Sequence, residues 1–171
     1  WLTNLGASVR VFLLSKSGGV KGDALTNLEI LFGMKVRVDE IVKEGRLAVL
    51  RTGLEGCDLI VDAIFGTGFV GAAKGVSGRA IEVLNGSGIP IVSVDVPSGL
   101  NSDDGFVVGP CVRATLTVTM GLLKRGLLLF PGRGFGGDLY LVDIGAPQLE
   151  GKGPRVELVE ADLVRSLIPR R

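Results

Sequence analysis

Asp58-Leu59-Ile60-Val61-Asp62-Ala63-Ile64-Phe65, followed at once by Gly66-Thr67-Gly68-Phe69-Val70-Gly71, is the stretch on which the fold turns. Its first eight residues read as a continuous apolar strand with one acid, Asp62, inside it. A strand that is apolar on both faces belongs to a parallel sheet covered on both sides. Ile89 to Val96, "IPIVSVDV", reads as a second such strand. Ser8 to Leu14 and Val36 to Val38 are rich in valine and read as strands too. Thr115 to Met120 and Asp138 to Asp143 alternate with period two. Between them, Lys21 to Gly33 places Ala24, Leu25, Leu28, Leu31 and Phe32 on one helical stripe, and Gly33 is a good stop. Ser77 to Leu84 is a further helix. Strands spaced by helices predict an α/β fold, a three-layer αβα sandwich with a mainly parallel sheet. The later strands have little helix between them and are expected at one end of the same sheet.

Composition narrows the chemistry. The chain has 171 residues, enough for one domain with a sizeable core. Lys and Arg number 19 and Asp and Glu 18, for a net charge of +1, and no basic stripe of the nucleic-acid-binding kind is present. Histidine is absent, which removes Ser-His and Cys-His nucleophiles and disfavours a transition-metal site. Cys57 and Cys111 lie far apart and read as reduced core residues of a cytoplasmic protein. No apolar run approaches the roughly 18 residues that a membrane span requires. The chain starts at Trp1, and its first residues read as the end of a helix, so the expectation is a fragment. The composition changes at Gly151-Lys152-Gly153, and Ala161 to Arg171 reads as a short amphipathic helix. That helix either docks on the domain or forms a linker into another one.

In open parallel sheets ligands bind beyond the carboxyl ends of the strands. Two strands here end in polar, glycine-rich turns, at Gly66 to Gly71 and at Asp95-Val96-Pro97-Ser98-Gly99. Gly66, Gly68 and Gly71 fit the dinucleotide pattern G-x-G-x-x-G, with Asp95 ending the next strand. In that pattern, however, a helix opens inside the glycine loop, whereas here glycines continue until about Ser77. An NAD-dependent dehydrogenase is therefore the weaker reading. Asp62, inside an apolar run, needs hydrogen bonds or a cation. If the two strands are neighbours, Asp62 and Ser98 could share a hard cation, and potassium suits so low a charge. Asp95 either caps its turn through Ser98 or serves as a general acid/base held still by Pro97 and Gly99. Lys124 and Arg133 are solvated charges or the rim of a phosphate site. Asn101, Asp103 and Asp104 form a polar turn.

The combination is more specific than its parts. "DLIVDAIFGTGF", "AIEVLN", "IPIVSVDVPSGLNSDDG", "ATLTVTMGLLKRGLLLFPGR" and "LYLVDIGAP" follow in that order. Together they resemble the NAD(P)H-hydrate epimerase family, the YjeF N-terminal domain, over roughly residues 1 to 147. The resemblance implies a Rossmann-like fold over residues 1–150 and a dinucleotide substrate, with 151–171 as linker and start of a C-terminal region. The family interconverts the R and S forms of NAD(P)H hydrated at carbon 6 of the nicotinamide ring, and a companion dehydratase restores NAD(P)H. Carried over by position, Asp62 and Ser98 would ligate potassium. Gly66, Thr67, Gly68, Phe69, Val70, Gly71 and Ala72 would hold the dinucleotide, with Lys124 at its rim. Asp95 would contact the hydrated ring as the catalytic group. The family also uses an Asn/Gly-rich segment of the kind "GNNGGDG" before the first strand, and this chain is expected to lack it. The tail "VELVEADLVRSLIPRR" is similar to the junction with a dehydratase domain in two-domain members. A homo-oligomer that binds NADHX or NADPHX, and neither nucleic acid nor membrane, completes the expectation. A non-catalytic nucleotide-binding or interaction module is the alternative.

Overall fold

A computed structural model describes residues 1–145 and 158–167. The first four strands alternate with helices and the last two follow without one: β1 (Arg10–Leu13), α1 (Asp23–Gly33), β2 (Arg37–Glu40), α2 (Leu47–Leu54), β3 (Ile60–Asp62), α3 (Gly75–Asn85), β4 (Ile91–Val94), β5 (Leu116–Met120), β6 (Asp138–Val142) and then α4 (Ala161–Leu167). Every ladder is parallel, as the doubly apolar runs predict. The hydrogen bonding divides the strands into a pair, β1-β2, and a four-stranded sheet in the order β3-β4-β5-β6. The later strands do extend one end of the sheet. The single sheet expected from sequence is broken between the pair and β3, which is only three residues long.

The two sets share one core. Phe12 and Leu14 pack against a cluster that includes Ile60 and Ile91 from the sheet, Leu47, Leu50 and Leu54 from α2, and Ile81 and Leu84 from α3. The sequence reading assigns no element to residues 44–57, yet α2 lies there. Its signal is Leu47, Leu50 and Leu54, a spacing that stacks side chains on one helical face. Within β1-β2 the register sets Arg10 opposite Arg37, and Asp39 accepts from both, at 2.7 and 3.0 Å. That shared carboxylate offsets a like-charge pair.

Because successive side chains alternate between faces, the row Asp62–Ser93–Thr117 lies on the buried side of the sheet. The opposite face is apolar apart from Asp138 at its edge, and less covered. Val61 is 49% exposed, Tyr140 60% and Val142 44%. No described helix is long and apolar enough to cross a membrane. The expected domain boundary at 150 and the last four residues of the predicted C-terminal helix lie outside the described residues.

The packing predicts a contrast between the two faces. Ile81 is fully buried, so Ile81→Ala costs about 2–5 kcal/mol of unfolding free energy in urea titration. Val61→Ser on the open face costs less than about 1 kcal/mol in the same measurement.

Candidate functional site at the carboxyl edge of the sheet

Strands β3 and β4 are parallel neighbours, so their carboxyl ends lie side by side, with Asp62 opposite Ser93. The Asp62 side chain is 1% exposed. Its Oδ2 accepts the Ser93 hydroxyl at 2.8 Å and the Ser98 backbone N–H at 2.9 Å, and its Oδ1 accepts the Ile64 N–H at 3.3 Å. Ser98 reaches on to the glycine turn, where its Oγ accepts the Phe65 N–H at 2.9 Å. Asp62 and Ser98 are thus brought together. The turn after β4 is held by Asp62, so its capping group sits on the neighbouring strand and is not Asp95. Gly99 completes that turn at φ +103, and a Cβ there would stand 2.3 Å from the Pro110 carbonyl oxygen.

The glycine turn is closed by Phe69 N–H to Gly66 O at 3.1 Å. Thr67, Gly68, Val70 and Gly71 are exposed, and the Phe69 ring stacks on Phe65 at 4.3 Å between centroids. Ser102, which the sequence reading passed over, donates its hydroxyl to the Thr67 carbonyl at 3.0 Å and pins this turn from the far side. Helix α3 opens only at Gly75, beyond the last glycine of the G-x-G-x-x-G match. Its N-terminus therefore does not form the phosphate cradle of a dehydrogenase fingerprint.

Asp95 occupies a strained position. Its φ is +70, and the Val96 N–H bonds to the Val94 carbonyl across it at 2.9 Å, the rare hand of the three-residue turn. Its backbone N–H goes to Val118 O on β5. Its Oδ1 accepts the Thr119 hydroxyl at 3.2 Å, the Met120 N–H at 3.0 Å and the Lys124 ammonium. Burial pushes the Asp95 carboxyl up, but the Lys124 hydrogen bond and the Met120 N–H outweigh it and hold the group below its ordinary 3.8. Lys124 also donates to the Met120 carbonyl at 2.7 Å. Thr119 is a further residue that sequence reading missed, though its place in a period-two strand puts it on the buried face.

The remaining candidates are structural. Arg133 donates to the Gly137 carbonyl at 2.9 Å. Asn101 and Asp104 accept from nearby backbone N–H groups and close their own turn. Cys111 is buried, and burial, together with the Asp62 carboxylate, pushes its thiol up to about 12. Cys57 is exposed, which corrects the expectation that both cysteines lie in the core. It sits just past the end of α2, with its thiol directed at the Gly53 carbonyl. Among the described residues no cluster of three or more Cys, Asp or Glu could hold a metal ion. A cation at Asp62 and Ser98 would rest mainly on neutral oxygens. The hollow between α2 and α3, lined by Arg51, Leu54, Glu82 and Val83, sits at the amino end of β4, away from these groups.

Polar groups gathered beyond the carboxyl ends of parallel strands, beside an exposed glycine turn, define an α/β domain of the ligand-binding kind. The family described as YjeF-related protein N-terminus matches residues 1–126, and the chain belongs to that family. It is 44% identical over 172 residues to the Bifunctional NAD(P)H-hydrate repair enzyme Nnr of Moorella thermoacetica, a match covering 99% of this chain and 32% of that protein. The chain thus spans about a third of the length of that relative. It is 31% identical over 143 residues to the NAD(P)H-hydrate epimerase of Pirellula staleyi, covering 84% of this chain and 63% of the relative. The crystal structure of yeast ynu0, YNL200c, superposes with a TM-score of 0.63 at 27% identity, covering 78% of this chain and 54% of that one.

Removing the Asp62 carboxyl leaves the buried Ser93 hydroxyl and Ser98 N–H without their acceptor. Asp62→Ala is expected to cost about 3 kcal/mol or more in chemical denaturation. Asp104→Ala, in a surface turn, is expected to cost below about 1 kcal/mol.

Proposed function

We propose that this chain is an NAD(P)H-hydrate epimerase domain that interconverts the R and S forms of NADHX and NADPHX in the cytoplasm. Its parent chain would also carry the dehydratase that consumes the S form. The names of the relatives, an NAD(P)H-hydrate epimerase and a bifunctional NAD(P)H-hydrate repair enzyme, support the activity. The single structural observation that supports it most is Asp95, a carboxylate held on strained backbone at the edge where the glycine turn lies. Strain of this kind persists only when the surrounding structure fixes it, and it clusters at functional sites.

Carbon 6 of the hydrated ring carries a hydroxyl and is bonded to the ring nitrogen. Loss of hydroxide gives a cation stabilised by the nitrogen lone pair, and water returns on either face. Alternatively, the hydroxyl loses its proton, C6=O forms as the bond to nitrogen breaks, and nitrogen takes up a proton. Reclosure on the other face inverts the centre. Each route moves a proton at the C6 oxygen, and Asp95 is the group assigned to it. The turn from Gly66 to Ala72, exposed at Gly66, Thr67, Gly68, Val70 and Gly71, would hold the diphosphate through backbone N–H groups other than that of Phe69, which closes the turn. Potassium suits Asp62 and Ser98, because the Ser98 hydroxyl and Phe65 carbonyl are neutral oxygens 3.5 Å apart and Asp62 Oδ1 carries one long hydrogen bond among the described residues. When bound there it would supply positive charge close to the diphosphate. The open apolar face of the sheet supports self-association into a homo-oligomer.

Asp95→Asn keeps the shape of the side chain and removes its capacity to take a proton. It is expected to slow interconversion of the R and S hydrates, followed by chromatography, by roughly two to four orders of magnitude. Wild-type rates in this variant contradict the assignment. Nucleotide binding without interconversion by the unmodified protein favours a non-catalytic binding module.

A further inference from the structure

We propose that Lys124 is a positioning residue: it fixes one oxygen of Asp95 in the protein frame and leaves the other, Oδ2, as the open proton acceptor. The proposal rests on the reading of Asp95 as the acid/base group and assigns the working atom within it.

The three hydrogen bonds to the Asp95 carboxyl, from Thr119, Met120 and Lys124, all end on Oδ1. Oδ2 takes none from the described residues. No buried side-chain oxygen among those residues lacks a hydrogen-bond partner, so Oδ2 reaches solvent. The carboxylate is therefore divided, with one oxygen bonded to the end of β5 and to Lys124 and the other open to solvent. Lys124 is itself held, because its ammonium bridges Asp95 and the Met120 carbonyl across one short loop. The side chains of the pair are only 18% and 20% exposed, so solvent does not dissolve the contact as it does at an open surface.

Lys124 is the one charged group acting on Asp95 among the described residues. Thr119 and Met120 are neutral donors, Asp62 is turned to Ser93 and Ser98, and Arg125 is turned to the Asp103 carbonyl. Without Lys124, burial is the strongest remaining influence and acts in the opposite direction, favouring the protonated acid. An ionised Asp95 begins a reaction by accepting a proton. A protonated one cannot. The assignment replaces the expectation that Lys124 lines the rim of a phosphate site, and the two roles differ in what they change.

Carbon-13 NMR of the Asp95 carboxyl, followed from pH 7 to pH 4 in the 171-residue chain and in Lys124→Met and Lys124→Arg, tests this without requiring turnover. The wild-type signal is expected to stay flat over that range, Lys124→Met to begin titrating within it with its midpoint raised above the wild type's, and Lys124→Arg to stay flat. A wild-type signal that titrates above pH 4, or a Lys124→Met signal as flat as wild type, overturns the proposal. The first of these stands even if the variant fails to fold. In epimerisation assays, the acid limb of kcat/KM is expected to move to higher pH in Lys124→Met. A raised KM with an unmoved limb instead marks a phosphate contact and overturns the positioning role. If the chain shows no interconversion at all while the NMR result holds, the epimerase reading fails and the Lys124–Asp95 assignment survives.

Discussion

The buried carboxyl of Asp62 ties the end of β3 to β4 and to the turn beyond it, and the candidate site depends on those bonds. Ser93 and Ser98 supply both donors to Oδ2, and both are fully buried. A carboxyl in such a place is costly unless its lone pairs are filled. Here the filling fixes the Pro97-Ser98-Gly99 turn, and Ser98 then fixes the start of the glycine turn through Phe65. One interaction in the sheet therefore sets the spacing of two loops that are separate in sequence.

Asp95 is held by different means. Its backbone lies in a sparsely populated region, and its side chain is anchored to β5 on the far side of β4 from Asp62. The two acids flank the tip of one strand but share no hydrogen bond. Asp62 is enclosed and maintains the architecture. Asp95 is part-buried, is held below its ordinary range by a lysine, and keeps one oxygen open to solvent. Carboxylates in unlike surroundings commonly divide a site's labour in this way.

Much of this was legible in the chain itself. Valine-rich and doubly apolar runs marked four of the strands and period-two alternation the other two, because apolar patterning leaves a trace that needs no tertiary knowledge. The placement of Asp62 near Ser98 followed from two strands being neighbours, which the parallel α/β pattern made natural. Other features were hidden for physical reasons. Helix α2 carries its stripe in only eight residues, and Gly53 interrupts it. The positive φ of Asp95 has no signature in a residue that also serves ordinary turns. Ser102 and Thr119 act through contacts across long sequence separations, 35 residues to Thr67 and 24 to Asp95, which no local pattern records. Lys124 could be seen as a candidate, but its partner could not, since the loop after β5 had to fold back before the ammonium met Asp95.

The central claim is that the two turns beyond β3 and β4 form one ligand site. An amide-resolved NMR titration with NADPHX tests it most directly. Shifts are expected to concentrate at residues 64–72, 95–102 and 119–124, with residues 51–55 and 82–89 unmoved. Shifts concentrated at the α2–α3 hollow, or none at millimolar ligand, would contradict it.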